Sequence, residues 1–243
     1  MDKLIPIKSG QLKMRLRSTI ITLLFLLNFT VAAAELKPFT ATYEAIKFDL
    51  VLGEIKVSLQ PQGKHFIYSK ESTTKGLVAL FRNEQVKEKS TLTLSEKGLR
   101  VLDYQYQLKR GDENRTDSFT FESPEKVNGI YKKQPFSLDV PHGTLDRSSI
   151  EVALMRDANP DVKMLSYSAV EKDKLKTYNF EYQGEQIVET PAGKFQCLNY
   201  KRVRSSGKRS TTLCLAPELN NLPVKITHNE KGTEFYMVLK SYN

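Results

Sequence analysis

Leu102-Asp103-Tyr104-Gln105-Tyr106-Gln107-Leu108 places a large apolar or aromatic side chain at every second position and a polar one between. A period of two is the signature of a strand with one buried face and one wet face. The same alternation returns along the chain. It runs through Phe39, Ala41, Tyr43 and Ala45, then Ile55, Val57 and Leu59, then Tyr178, Phe180 and Tyr182. Leu222, Val224 and Ile226 repeat it, and Phe235, Met237 and Leu239 close the chain. Half-buried strands of this kind pair antiparallel. Turn signals separate the runs: Pro61-Gln62-Gly63, Glu96-Lys97-Gly98, Arg110-Gly111-Asp112, Asn128-Gly129, Gln183-Gly184, Ser206-Gly207 and Lys231-Gly232. The pattern predicts roughly a dozen strands.

One segment breaks the rhythm. Ser148-Ser149-Ile150-Glu151 has the Ser-x-x-Glu spacing of a capping box, with Ser148 at the N-cap. Ile150, Ala153 and Leu154 follow at helical spacing, and Asn159-Pro160 ends the run, since a residue before proline avoids the α region. The spacing predicts a helix from about Arg147 to Ala158. The expected fold is therefore mainly β, at the margin of α+β: a large curved antiparallel sheet or half-open barrel with one helix packed on it.

Residues 1–34 are set apart. Lys3, Lys8, Lys13, Arg15 and Arg17 precede an apolar run from Ile20 to Leu27, and Ala32-Ala33-Ala34 offers a small-residue cleavage site. This order is that of a secretory signal peptide, with an apolar core too short to span a bilayer. Residues 35–243 are then expected to form a single β-rich domain in the periplasm of a Gram-negative cell after Sec export, soluble and without a membrane span; secretion is the alternative. The whole chain of 243 residues carries a net charge of +9. Removing residues 1–34 leaves 209 residues at +5, because that segment holds five basic residues against Asp2.

Two cysteines are too few for a disulfide scaffold or a four-ligand zinc module. Cys197 and Cys214 flank the Ser205-Ser206-Gly207-Lys208 turn. If Arg204 pairs with Gly207, the two cysteines lie directly opposite, and an oxidising compartment would join them. Lys201, Arg202, Arg204, Lys208 and Arg209 concentrate positive charge on the same hairpin, and alternation places Arg202 and Arg204 on one face and Lys201 on the other. They are candidates for binding an anion such as a lipid headgroup, a lipopolysaccharide phosphate or an acidic glycan; as a solvated edge they would guard against aggregation. Tyr43, Tyr104, Tyr106, Tyr178 and Tyr182 are candidate sheet-face aromatics for a sugar or acyl chain, against the plainer role of core packing.

Signals of chemistry are thin. His65, His142 and His228 lack ligand spacing, no nucleophile motif is present, and no cofactor is indicated. Asp103, Asp117, Asp139, Glu181 and Glu185 on expected strands could supply a glycosidase pair only if two of them converged. No catalytic residue is assigned, and the reading leans away from an enzyme. No nucleic-acid motif accompanies the basic charge.

The chain resembles the bacterial family called domain of unknown function 3108. The resemblance rests on Phe39-Thr40-Ala41-Thr42-Tyr43 with Gly53-Glu54-Ile55, His142-Gly143-Thr144-Leu145-Asp146, Thr190-Pro191-Ala192-Gly193-Lys194-Phe195, and Leu215-Ala216-Pro217-Glu218-Leu219 running into Leu222-Pro223-Val224. It covers nearly all of residues 35–243 and departs at Cys214, where a large aromatic is expected. It implies an exported β-rich protein and no catalytic residues. The functional expectation is a non-catalytic binding or carrier protein for an envelope lipid or glycan. An envelope assembly protein is the alternative, and a glycan hydrolase ranks third. The sequence does not specify an oligomeric state.

Overall fold

The computed structural model describes residues 37–76, 79, 83–95, 98–204 and 209–243. The signal-peptide expectation and Lys208 lie outside these residues. The alternating runs become fifteen strands among the described residues, more than the sequence pattern suggests. The first eight are β1 (Phe39–Lys47), β2 (Leu50–Gln62), β3 (His65–Thr74), β4 (Glu84–Ser95), β5 (Gly98–Arg110), β6 (Glu113–Ser123), β7 (Lys126–Tyr131) and β8 (Gln134–Asp139). The others are β9 (Leu145–Asp146), β10 (Met164–Glu171), β11 (Lys174–Thr190), β12 (Gly193–Val203), β13 (Arg209–Ala216), β14 (Leu222–Glu230) and β15 (Thr233–Tyr242).

All fifteen belong to one sheet, ordered from β8 back to β1, then β15, and down to β9. Pairing is antiparallel everywhere except β9 with β10. The sheet has two edges, β8 and β9, so it is curved but not closed into a barrel. β1 pairs with β15, from Ala41 opposite Tyr242 to Ile46 opposite Tyr236, and joins the two ends of the described chain in mid-sheet.

The predicted helix forms as α1 (Ser149–Asp157) and is buried almost all round: Ile150, Val152, Ala153, Leu154 and Met155 are all core residues. A helix with one apolar stripe would lie on the surface; this one is enclosed by the concave face of the sheet. The core is the inner row of strand side chains, including Tyr43, Val57, Leu59, Tyr68, Leu213, Leu215 and Leu239, packed around it. The C-terminal end of α1 is tied to the turn before β14 and to β12. Asn221 Nδ2 donates to the carbonyls of Met155 (2.9 Å) and Ala158 (3.0 Å). The Tyr200 hydroxyl accepts from the Asn159 N–H (3.2 Å) and lies 2.8 Å and 2.9 Å from the carbonyls of Asn159 and Val162, to which its one proton can be given.

The capping box does not form. Ser148 is the N-cap residue, but its side chain makes no capping bond. The Asp146 carboxylate takes that part, accepting from the backbone N–H of Ser148 (2.7 Å) and Ser149 (2.9 Å). The hydroxyl of Ser148 and the carboxylate of Glu151 are drawn to strand partners instead.

Two expected turns are corrected. Asn128-Gly129 lies inside β7, where Gly129 pairs with Phe119 and Phe136 across the two neighbouring strands. A Cβ on Gly129 would come 2.8 Å from the Phe136 ring and press on the Ser118 carbonyl, so the absent side chain makes room for two aromatic rings. Gln183-Gly184 lies within β11 as a bulge between Tyr182 and Glu185, with Gly184 at φ 96°. A further bulge at Leu102 shifts the β4–β5 register, so the inward row passes from Tyr104 to Val101 and Leu102 drops out of the alternation.

The register of the β12–β13 hairpin also differs from expectation. Cys214 is opposite Asn199, not Cys197. The cysteines are diagonal neighbours on one face with Cα atoms 5.3 Å apart, and they are bridged. That separation lies within the range a disulfide requires.

Gly129→Ala should lower unfolding free energy by about 1–3 kcal/mol, because the added methyl overpacks the Phe119–Phe136 contact; urea melts of both proteins measure it. Replacing Cys197 and Cys214 together by serine should cost about 3 kcal/mol, the chain-entropy value for a loop of this size. Reductant should then lower the midpoint of the parent chain and leave the double variant unchanged.

Candidate functional site

Charged side chains appear on the inner face where alternation calls for apolar ones. β3 presents Tyr68 and Lys70 inward, and β4 presents Glu88 and Ser90, paired as Lys70 opposite Glu88 and Tyr68 opposite Ser90. The rows continue into β5, with Glu88 opposite Tyr106 and Ser90 opposite Tyr104. A buried carboxylate has to be satisfied by hydrogen bonds or countercharge. Glu88 is only 7% exposed and accepts from the Tyr104 hydroxyl (2.6 Å), the Ser148 hydroxyl (2.7 Å) and the Arg147 guanidinium (2.8 Å). Burial alone would raise its pKa, but Arg147, Lys70 and the two hydroxyls outweigh burial and hold it below the ordinary value of 4.5.

One turn further along α1, Glu151 accepts from the Tyr68 hydroxyl (2.7 Å) and from the Lys70 ammonium. Asp146 is wholly buried, and burial pushes its pKa up to about 6 against the opposing bonds from Ser149 and Ser148. The start of the helix is thus fastened to β3, β4 and β5 by a charged network.

Across from this network, β11 to β14 supply the other wall of a cleft of about 380 Å³ that lies over the N-terminal half of α1. Its apolar lining comes from Ile55, Leu154, Phe180, Leu213, Ile226 and Met237. Its polar lining includes Glu171, Tyr178, Arg202, Arg204 and His228. The Glu171 carboxylate accepts from the Tyr178 hydroxyl (2.7 Å) and from Lys176; burial raises its pKa, but these two partners prevail and lower it. His228 Nδ1 is 2.9 Å from the Thr211 hydroxyl, and burial lowers its pKa.

The two arginines differ from every other cation in the cleft. Arg147 is paired with Glu88 and Lys70 with Glu151, whereas neither Arg202 nor Arg204 forms an ion pair among the described residues. The Arg202 guanidinium lies 3.8 Å from the centroid of the Tyr178 ring, and burial lowers its pKa. Arg204 reaches the Thr211 hydroxyl at 3.5 Å. The Nε atoms of both are buried and have no hydrogen-bond partner among the described residues.

The basic hairpin is therefore split. Arg202 and Arg204 enter the cleft, Lys201 is exposed on the opposite face, and Arg209 is exposed and paired with Glu230. The tyrosines are split too. Tyr178 lines the cleft, and Tyr104 supports it through Glu88. Tyr43 is buried in the core, Tyr106 borders a smaller cleft of about 160 Å³ beneath Arg115, and Tyr182 packs at a tilt against Tyr200 at the exit of the helix. The acids picked out on strands do not converge. Asp117 is buried and receives the Lys132 N–H, while Asp139, Glu181 and Glu185 are exposed. Among the described residues no three His, Cys, Asp or Glu side chains gather as a metal site, and no helix is long and apolar enough to cross a membrane.

The described residues thus form an open, mainly antiparallel sheet wrapped around one helix, not closed into a barrel. The chain belongs to the family described as a protein of unknown function, DUF3108, which it matches over residues 38–239. No curated protein matches it. Among solved structures it is similar to a β-barrel-like protein of domain of unknown function DUF1849 from Brucella abortus, at 14% identity and TM-score 0.61, covering 87% of this chain and 99% of that one. A "putative lipoprotein" from Parabacteroides distasonis aligns over 86% and 96% of the two chains at 10% identity and TM-score 0.35. A "putative exported protein with YmcC-like fold" from Bacteroides fragilis aligns over 86% and 97% at 10% identity and TM-score 0.31.

Glu88→Gln should cost about 3 kcal/mol at neutral pH, since it leaves Arg147 without its partner. The sign of the pH effect follows from the lowered pKa. Stability contributed by Glu88 is complete above pH 4.5 and is lost as pH falls through the lower folded-state value. Asp146, with its raised pKa, acts in the opposite sense but is common to both proteins. The difference between parent and variant should therefore shrink below pH 4.5 in chemical melts at stepped pH.

Proposed function

We propose that this is an exported, non-catalytic binding or carrier protein, and that its cleft holds an amphipathic envelope molecule by an anionic group. The observation that supports this most is the pair Arg202 and Arg204, half-buried guanidiniums with no carboxylate partner, lining a cleft beside Phe180, Leu213 and Ile226. Leaving such groups without a partner costs free energy that an anion would recover. A planar guanidinium suits phosphate or carboxylate through paired N–H donors. The cleft's own acids do not compete, since Glu88, Glu151 and Glu171 are each held by cations and hydroxyls. The volume of the cleft is that of a small-molecule site. Its lining of Phe180, Leu213, Ile226 and Met237 would take the apolar part of the ligand. The periplasm fits the basic, short-cored N-terminus and the bridged cysteines.

The test is to isolate the protein from its host, extract it and identify bound lipids by mass spectrometry, then to titrate the stripped protein with lysophosphatidylglycerol. Binding should weaken by about tenfold for each of Arg202→Gln and Arg204→Gln, the loss of one charge-assisted hydrogen bond apiece. A stripped protein that binds no anionic amphiphile, or a double variant that binds as well as the parent, refutes the reading.

A further inference from the structure

β12 departs from alternation. Cys197, Leu198, Asn199 and Tyr200 are successive buried residues, which a sheet with one wet face does not allow. Leu215, Ala216, Leu222, Pro223 and Val224 are likewise buried at both parities. The cover on the second side is the far end of the β11–β12 hairpin. β11 bends at the Gln183-Gly184 bulge, and beyond it the hairpin crosses β13 and β14 to reach β15. There the Ala192 N–H donates to the Leu239 carbonyl at 3.2 Å, and the Phe195 ring meets that of Tyr242. On the way Gln186 Nε2 comes within 3.5 Å of the Cys214 sulfur. β13 and β14 are thereby covered on the side turned away from α1 as well.

A groove of about 470 Å³ opens on that side, where the hairpin bends. Its place is set by two irregularities of the ladder. Asn199 stands opposite the β11 bulge, because Tyr182 pairs with Tyr200 and Glu185 with Leu198. The neighbour of Asn199 on its other side is Cys214, next to the bulge that shifts β13 against β14. Bulges re-aim side chains and gather beside binding sites. Gln183 and Gln186 of β11 line the groove from one flank, Lys225 and Thr227 of β14 from the other, and Lys201 and Thr212 lie between them. Ser210 and Glu234 complete it. Its size is that of a small-molecule site.

Apart from the Cys214 sulfur, the lining is made of amides, hydroxyls, two ammoniums and one carboxylate. Amides and hydroxyls each donate and accept. Charge of one sign does not define the groove, since Glu234 stands with Lys201 and Lys225. The Asn199 side chain is the exception among these wet groups. It is only 8% exposed, makes no hydrogen bond among the described residues, and its Oδ1 is shielded from water without a partner. A buried amide left unpaired costs free energy that a ligand hydroxyl would recover. A half-turn of the amide exchanges Oδ1 and Nδ2, so either atom can be turned to the groove.

We propose that this groove binds a saccharide, with the Asn199 amide bonded to one sugar hydroxyl and Gln183, Gln186, Lys201 and Thr212 holding its neighbours. A sugar presents hydroxyls that donate and accept around a compact body, and a planar amide can accept from one and donate to the next. The groove and the cleft beside α1 lie on opposite faces of β12 to β14: Lys201, Thr212 and Lys225 face one, and Arg202, Leu213 and Ile226 the other. The inference goes beyond the cleft reading and stands without it.

The experiment is a nuclear magnetic resonance titration of isotope-labelled protein, isolated as its host processes it. The probes are the neutral disaccharide of N-acetylglucosamine and the acidic disaccharide of N-acetylglucosamine with N-acetylmuramic acid. The neutral probe should move the signals of Gln183, Asn199, Lys201 and Thr212, and raised salt should leave its affinity unchanged. Asn199→Thr should weaken binding about tenfold, the loss of one buried hydrogen bond, and keep the thermal midpoint, since that amide bonds to nothing within the chain. Gln183→Ala with Lys201→Ala, at two exposed positions, should weaken binding by about tenfold together. Arg202→Gln with Arg204→Gln should leave sugar binding intact while losing cleft ligand, and Asn199→Thr the reverse, so the two readings fail separately. Silence from both sugars, shifts confined to the cleft, or variants that bind like the parent overturn the proposal. So does binding of the acidic probe alone that salt abolishes and inorganic phosphate reproduces, which marks an anion site.

Discussion

A carboxylate inside an apolar sheet has to find its partners within the fold, and Glu88 finds them on two elements. Tyr104 comes from the adjacent strand, and Ser148 and Arg147 come from the start of the helix. The bond set fixes where α1 begins, how deep it sits and which way Arg147 points. Everything that faces the helix then follows. Glu151 falls within reach of Tyr68 and Lys70, Asp146 turns back to cap the first N–H groups, and the exit is caught by Asn221 and Tyr200. A helix held only by apolar contact could slide along the concave face; a buried charge network gives it one register. The cleft is the space left on the far side of that fixed helix.

Much of the architecture was legible because alternation is a local property. Phe39 to Ala45, Ile55 to Leu59 and Phe235 to Leu239 read as strands and are strands. The failures have a common cause, which is that partners far apart in sequence decide the outcome. Asn128-Gly129 carries a strong turn signal, yet Phe119 and Phe136 approach from both neighbouring strands and need the bare backbone. Ser148 and Glu151 have the spacing of a cap, but Glu88 and Lys70 compete for them and win because those partners are charged and largely shielded from water. Phe48-Asp49 and Lys132-Lys133 gave no turn signal at all, since neither offers glycine or asparagine. The cysteine bridge was anticipated from a register that proved two residues off; a diagonal pair satisfied the same geometry.

The site was half visible. Parity alone separated Arg202 and Arg204 from Lys201, and the structure places the first two in the cleft and the third outside it. Lys70, Glu88 and Glu171 went unremarked, and Glu151 and His228 were read only as a cap and as an isolated histidine, although a signal existed. Lys70 and Glu88 stand at inward positions of their strands, between Tyr68 and Ser72 and between Val86 and Ser90. A charge on the buried parity of a strand marks a place where something other than packing is being served. What parity cannot supply is the order of pairing, and only that order leaves two arginines without a carboxylate while every cleft acid is matched.

The seam between β1 and β15 joins residues about two hundred positions apart in the chain. Synthesis delivers the first eight strands long before the last, so β1 waits as a bare edge with its hydrogen-bonding groups open. The meander cannot be completed from one side, because its final strand lies in its middle. Pairing of such distant segments is slow, and exposed edges recruit other chains in the interval. The last ten residues are thus a timing element, since their arrival removes an adhesive edge and joins the two halves of the sheet in one act.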